Sequence, residues 1–495
     1  MTKTQNLILA FAFFLLLGVS ITAILRLEFP LNASSVSQMP ENTSPPVSNP
    51  EAIRLYEAGN QQIDAGNLAE AVTLFKEALE ITRMEGDRAL EAVILNDMGL
   101  AYRDQGDIEQ GYRLIEQGLT IRQRLGDKSG IAQSYNNLST TSTILGQYPE
   151  ALKFGQQALA LVRELGEKES EAYILNSLGS LYRKLGQSQK ALDSFQQSLA
   201  ILKQLNGSLE VQGIILANIA TAYVDLENYS EAINFHQQAL AIETQLKNPF
   251  GISSTLVNMG VTYEKMGELE EAIATLQKAI EIDQQIGNAS LQAQAFNSLG
   301  AIYRQQGNYT EAFSYYNKAL SLRRQLGEMP GVATILNNLG IAQYEANLIP
   351  EAKASLSEAI EIFENLRPGL NDTDQISLFD QQLNPYVSLQ KLLVETNEVE
   401  EALEISERGR ARAFINLLSN RYQNLNNPWL TIPSISIEDI QQVAQQQNAT
   451  LVEYSIVIDN FANQSDLYIW VVNPNGNVNL RQVDLTEKQG QDLVP

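Results

Sequence analysis

A polypeptide that does acid–base or nucleophilic chemistry needs side chains that titrate near neutrality or attack, and this one is poor in both. Its 495 residues include a single histidine, His236, and no cysteine. That excludes disulfides, thiolate catalysis and cysteine-ligated metals. The chain contains no phosphate-binding glycine loop, no His-Glu-x-x-His and no calcium loop with the required carboxylate spacing. Arg408, Arg410 and Arg412 crowd into five residues, and this apparent active cluster reads as the wet face of a capping helix. Acidic pairs such as Glu270-Glu271 and Glu400-Glu401 stand where helices begin, where negative charge suits the helix dipole. The expectation is a protein that is not an enzyme and uses no cofactor and no metal.

What recurs at fixed spacing is suited to holding a partner. Asn96, Asn136, Asn176, Asn297 and Asn337 form one set, and Arg103, Arg183 and Arg304 lie seven residues after three of them. Seven residues are about two helical turns, so each pair shares a helix face. Asparagine donates to and accepts from a peptide backbone at once, and arginine forks onto a carboxylate. This face is expected to grip an extended peptide, partly through the peptide's acidic side chains. The alternative is that the asparagines bond the neighbouring unit and the arginines are solvated.

These residues ride on a repeat. A small residue returns at Gly59, Gly99, Ser139, Gly179, Ala220, Gly260, Gly300 and Gly340, every 40 residues with one spacing of 41. Three residues after this marker stand Tyr102, Tyr182, Tyr223, Tyr263 and Tyr303; seven after it, Gly66, Gly106, Gly146, Gly186, Gly267 and Gly307; twelve after it, Ala71, Gly111, Ala151, Ala191, Ala232, Ala272, Ala312 and Ala352. Glycine suits a helix end because it takes the left-handed conformation without a Cβ clash. Each unit reads as helix, Gly turn, helix, and copies of one such unit stack into a solenoid.

The pattern resembles the tetratricopeptide repeat, as in Asn297-Ser298-Leu299-Gly300-Ala301-Ile302-Tyr303 followed by Glu311-Ala312-Phe313. That family's usual period is about 34 residues. The extra residues here fall between the second helix and the next unit, at Gly86-Asp87, Gly126-Asp127 and their counterparts, which resembles the longer-repeat branch with extended helices. The resemblance implies an all-α, right-handed helical solenoid over residues 51–367 whose first helices line a concave groove, with proteins or extended peptides as partners.

With 58 acidic against 34 basic residues the net charge is −24. Counterion release from a polyanion cannot drive binding to such a chain, so nucleic acid and anionic lipid are not expected partners. Leu7 to Leu25 is nineteen residues without a charge, about 28 Å as a helix. Residues 1–29 are therefore expected to be a transmembrane signal anchor or a signal peptide. Lys3 and the α-amino group on one side keep the N-terminus in the cytoplasm. That makes the protein membrane-anchored with its repeats extracytoplasmic, or secreted if the segment is cleaved. Residues 30–50, with Pro30, Pro40, Pro45, Pro46 and Pro50, read as an extended linker.

The register breaks at Pro368-Gly369. Residues 368–430 read as linking helices and a degenerate helical pair, over 386–420. Beyond Thr431, residues 437–447 read as a helix, 451–458, 467–472 and 478–483 as strands, and Asn473-Pro474-Asn475-Gly476-Asn477 as a turn. The arginine–alanine helix, Leu451-Val452-Glu453-Tyr454 and the Leu467-Tyr468-Ile469-Trp470-Val471-Val472 strand resemble the entry into the CHAT domain, a caspase-like module found behind tetratricopeptide arrays in bacteria. Residues 431–495 would then be a truncated α/β segment. That family's protease dyad is a histidine and a cysteine, and neither matches any position here. Two functions follow: a protein-binding scaffold, or the sensor portion of a truncated or split CHAT-family protease, with a separate chain completing the C-terminal sheet.

Overall fold

A computed structural model of the chain describes residues 48–365, 372–409, 436–459 and 464–485. They belong to two compact units, one ending at Ser298 and the other beginning at Leu299, and each is described by itself.

The first unit is a stack of helix pairs: Pro50–Asp64 with Leu68–Glu85, Arg88–Asp104 with Ile108–Leu125, Lys128–Ile144 with Tyr148–Leu165, Lys168–Lys184 with Ser188–Leu205, Leu209–Asp225 with Tyr229–Leu246, and Pro249–Met266 with Leu269–Ile286. The marker residue lies on the first helix of each pair. The glycine seven residues later closes that helix with positive φ, from 59° at Gly146 to 96° at Gly106. Where the fifth repeat lacks it, Glu227 takes the same conformation at φ 59°. The alanines twelve after the marker are fully buried, and Gly111 sits so close to the first helix that a Cβ on it would lie 2.5 Å from the Gly99 carbonyl oxygen.

The joints between repeats are short. Gly86 ends one helix at φ 75°, and the side chain of Asp87 accepts from the Leu90 amide to start the next. Gly126 and Asp127 repeat the arrangement. These two-residue joints correct the expectation that the added residues lie between units: the helices themselves, 17 or 18 residues each in the second repeat, absorb the longer period. Apolar side chains from both helices and from the next first helix make a continuous core, such as Phe75, Ala78, Leu79, Ile94 and Leu95.

In the second unit the repeat continues through Met329–Glu345 and Ile349–Asn365. A helix then spans Asp372–Glu395 with Pro385 inside it, earlier than the start expected at residue 386, and helical residues 399–409 follow. Ile437–Gln447 is a helix opened by a capping box between Ser436 and Asp439. Strands β1 (Leu451–Asp459), β2 (Gln464–Val472) and β3 (Val478–Asp484) form an antiparallel sheet in the order β1-β2-β3. Its inner face, with Tyr468, Trp470 and Val472 fully buried, shares one core with Leu389, Leu393, Leu403, Ile440 and Ala444. The Trp470 indole donates to the Val399 carbonyl at 3.3 Å. The chain is thus an all-α helical solenoid with a small three-stranded sheet.

The expected membrane-anchored, extracytoplasmic placement is not supported. Among the described residues no helix is long and apolar enough to cross a membrane, because the repeat helices are amphipathic and keep charged residues on their wet side. The run Leu7 to Leu25, most of the linker, and Arg410 and Arg412 lie outside the described residues.

Candidate partner-binding surface

Within the first unit, first helices of successive repeats pack directly against one another from the second repeat to the sixth. Their contact carries a polar chain. The Tyr56 hydroxyl donates to Asp97 Oδ2 at 2.7 Å, Asn96 Nδ2 donates to Asp97 Oδ1 at 3.0 Å, and Asn137 Nδ2 donates to Asn96 Oδ1 at 3.1 Å. Two repeats on, Asn218 Nδ2 donates to Asn176 Oδ1 at 3.0 Å. The three bonds between repeats follow one rule: the residue three before the marker in one repeat meets the residue two before the marker in the next. Burial pushes the Asp97 carboxyl above its ordinary range, and the Tyr56 and Asn96 hydrogen bonds pull it back. Burial, then the neighbouring Asp97 charge, raise the Tyr56 phenol.

Of the asparagines singled out by their spacing, Asn96 and Asn176 sit at the base of these contacts. Asn96 is wholly buried and Asn337 nearly so, whereas Asn136, Asn176 and Asn297 are half-buried. Asn136 Oδ1 and Asn337 Oδ1 are buried and accept no hydrogen bond. The arginines are held by carboxylates: Arg103 by Asp104 at 2.7 Å, Arg183 by Asp225 of the next repeat at 3.7 Å, and Arg304 by Glu345 of the next repeat at 2.5 Å. Asn96, Asn176 and Asn297 share their first helices with Arg103, Arg183 and Arg304, whereas Asn136 and Asn337 have Thr143 and Tyr344 at that offset.

Sequence reasoning passed over the second set: Asp97, Asn137, Asn218, Asn258 and Asn338, two before the marker. Asn137, Asn218, Asn258 and Asn338 are half-buried, so they keep one edge on the surface. Their recurrence at that offset was a usable signal. After one donated bond, the amides of Asn137 and Asn218 retain a second N–H and a carbonyl oxygen.

The only histidine offers no base to this face. His236 is 1% exposed on a second helix, at the place Phe195 and Leu276 fill in neighbouring repeats, and burial takes its imidazole down to about 4.

The Tetratricopeptide repeat family matches residues 51–124, 90–164, 130–204, 211–285 and 291–365. The chain belongs to the tetratricopeptide repeat family. Tetratricopeptide repeat protein 28 of Mus musculus is 32% identical over 134 residues, and that of Homo sapiens 31%; each match covers 26% of this chain and 5% of the relative. Among solved structures, a STAND signal-transduction ATPase with a tetratricopeptide repeat sensor from Pyrococcus horikoshii is similar at TM-score 0.49 and 16% identity, over 77% of this chain and 55% of that one. Aspartyl phosphate phosphatase F from Bacillus subtilis is similar at TM-score 0.46 and 16% identity, over 80% and 99%. The tetratricopeptide match ends at residue 365, before the sheet.

Proposed function

We propose that this tetratricopeptide protein is a binding scaffold that holds an extended peptide segment of a protein partner along the first helices of residues 48–298. The observation that carries the reading is the pair of amides at Asn137 and Asn218. Each spends one donor on the repeat before it and keeps a donor and an acceptor for a peptide backbone. Buried Asn96 and the carboxylate-held arginines stiffen and space the face. Because Arg183 already holds Asp225, recognition rests on the peptide backbone more than on acidic side chains.

The test selects binding peptides from a displayed library on the purified chain and then measures their affinity for variants. Asn137→Ala with Asn218→Ala is expected to lose at least tenfold in affinity, about 1.4 kcal/mol, with helicity unchanged. Unchanged affinity in that variant would sink the reading.

A second reading is favoured by one observation. On β1, Val452, Tyr454 and Ile456 are 54%, 66% and 58% exposed, and opposite them on β2 stand Val471, Ile469 and Leu467. Exposed apolar side chains gathered on one sheet face suit an interaction site. It suits a CHAT-like segment whose remaining part is supplied by a separate chain, this chain acting as the sensor portion. A monomeric chain whose β1 amides exchange as slowly as those of β2 would count against it.

A further inference from the structure

The third repeat, Lys128–Ile144 with Tyr148–Leu165, buries less apolar surface than the repeats beside it. On its first helix the buried apolar side chains are Ala132 and Leu138, where the first helix of the fourth repeat buries Ala172, Ile174, Leu175, Leu178 and Leu181. On its second helix they are Ala151, Ala158 and Val162, against Ala191, Leu192, Phe195, Leu199 and Leu202 in the fourth. Sixteen residues after the marker, where Phe75, Ile115 and Phe195 stand in the first, second and fourth repeats, the third has Gly155.

Hydroxyls take the place of the missing apolar groups. Ser139, Thr140, Thr141, Ser142 and Thr143 are consecutive, and the first four are buried. Ser142 stands where other repeats have Tyr102, Tyr182 and Tyr223. The Thr140 and Thr141 hydroxyls donate to the Asn137 carbonyl at 3.0 and 2.7 Å, and the Thr143 hydroxyl donates to the Ser139 carbonyl at 2.7 Å. Bonds of this kind turn side chains back onto their own helix, where they destabilise it slightly and bend it. Serine and threonine are also poorer helix formers than alanine or leucine, and glycine, here Gly155 inside the second helix, is poorer still.

Each repeat of a solenoid touches only its neighbours, so its stability is its own plus that of two interfaces. Segments with few buried apolar contacts open before the rest of a fold does. We infer that the third repeat is the weak link of the first unit: it opens locally while the second and fourth repeats stay folded, and so forms a reversible joint inside the array. Its first helix carries Asn137, which donates to Asn96 of the second repeat, so opening breaks the polar chain along the first helices at that bond. The joint follows from packing alone and does not depend on what the first-helix face binds.

Hydrogen exchange of the full chain, followed by mass spectrometry and expressed as protection factors, reads each repeat through its own peptides. Amides of residues 128–144 and 148–165 are expected to be at least about tenfold less protected than those of 88–104, 168–184 and 188–205. Thr141→Ala with Thr143→Arg, which copies Ala101 and Arg103 of the second repeat, should raise protection in the third repeat several-fold and leave the fourth as it was. Leu138→Ala should lower it in the third repeat by about tenfold or more while the fourth keeps its protection. Equal protection of the second, third and fourth repeats in the wild-type chain, no gain in the Thr141→Ala, Thr143→Arg variant, or a loss in Leu138→Ala spread evenly over all three repeats would each overturn the inference.

Discussion

Gly300 and Tyr316 occupy one space. A Cβ built on Gly300 would lie 2.7 Å from two ring carbons of Tyr316, which is fully buried sixteen residues later on the second helix of the same repeat. Gly59 meets Phe75, Gly179 meets Phe195 and Gly340 meets Leu356 in the same way. The marker that reveals the period is small because its partner, sixteen residues on, is large. The third repeat inverts the arrangement: Gly155 stands at the later position, and Leu178 of the next repeat fills the gap, 2.5 Å from where its Cβ would be.

Gly300→Ala should accordingly cost about 1–3 kcal/mol through overpacking, read as a lowered denaturant midpoint with an unchanged m-value. In the background of Tyr316→Leu the same substitution should cost less. Equal costs in the two backgrounds would show that the ring is not what keeps residue 300 small.

The bond between Asn218 and Asn176 joins two repeats through side chains 42 residues apart. Asn218→Ala leaves the Asn176 carbonyl without its donor and should lower stability by about 1 kcal/mol. Asn218→Asp puts an acceptor against that acceptor and should cost more. Chemical denaturation of the two variants checks the order; an aspartate variant as stable as wild type would refute the contact.

Asp283 is 1% exposed, near the C-terminal end of its helix, with only Ser253 near enough to favour its charged form. The equivalent residue in the second repeat, Arg122, donates to the Gly130 carbonyl at 2.7 Å and to the Ser134 hydroxyl at 3.0 Å. At the matching offsets after Asp283 stand Leu291 and Ala295, which offer no side-chain partner. Burial, opposed by the Ser253 hydroxyl, lifts the Asp283 carboxyl from 3.8 to about 6. A raised folded pKa means that the native state holds the proton more tightly. Its contribution is complete below about pH 4 and is lost as pH rises through 6, an effect of about 3 kcal/mol at most. Asp283→Asn should therefore raise the melting temperature at pH 7.5 and change it little at pH 4.

His236 slopes the other way. Its imidazole falls from 6.5 to about 4 through burial, and its Nδ1 lacks a partner. A depressed folded pKa gives stability that is present above about pH 6.5 and lost as pH falls towards 4. The two windows overlap with opposite signs, so the wild-type pH profile between 4 and 6 should be flatter than that of either single variant. His236→Leu, matching Leu276 and Leu356 at the same place, should gain stability on acidification over that range. Asp283→Asn should lose it. Parallel profiles for the two variants would refute both assignments.

Much of the fold was legible because local backbone rules act within a turn or two. The period, the left-handed closures at Gly66 to Gly307, the helix over 437–447 and the three strands follow from glycine's freedom, periodic apolar residues and β-branched runs. The site was half legible. Asn96 and Asn176 stand out by spacing, but their partners, Asn137 and Asn218, belong to other repeats, and nothing local to Asn96 shows that it is wholly buried.

The amino-acid sequence alone determined the repeat, its phase and the turn chemistry, since each depends on residues a few positions apart. Only the tertiary structure decided which large side chain fills the space above each marker, which amide of a pair stays free, which carboxylates neutralise the arginines, and that Leu125, Leu165 and Leu205 stay half in water. Apart from the Arg103–Asp104 pair, those outcomes depend on groups 12 to 42 residues apart, such as Ser139 with the Ala151 carbonyl and Asn176 with Asn218. Stacking one repeat on the next brings them together, and no local propensity encodes that distance.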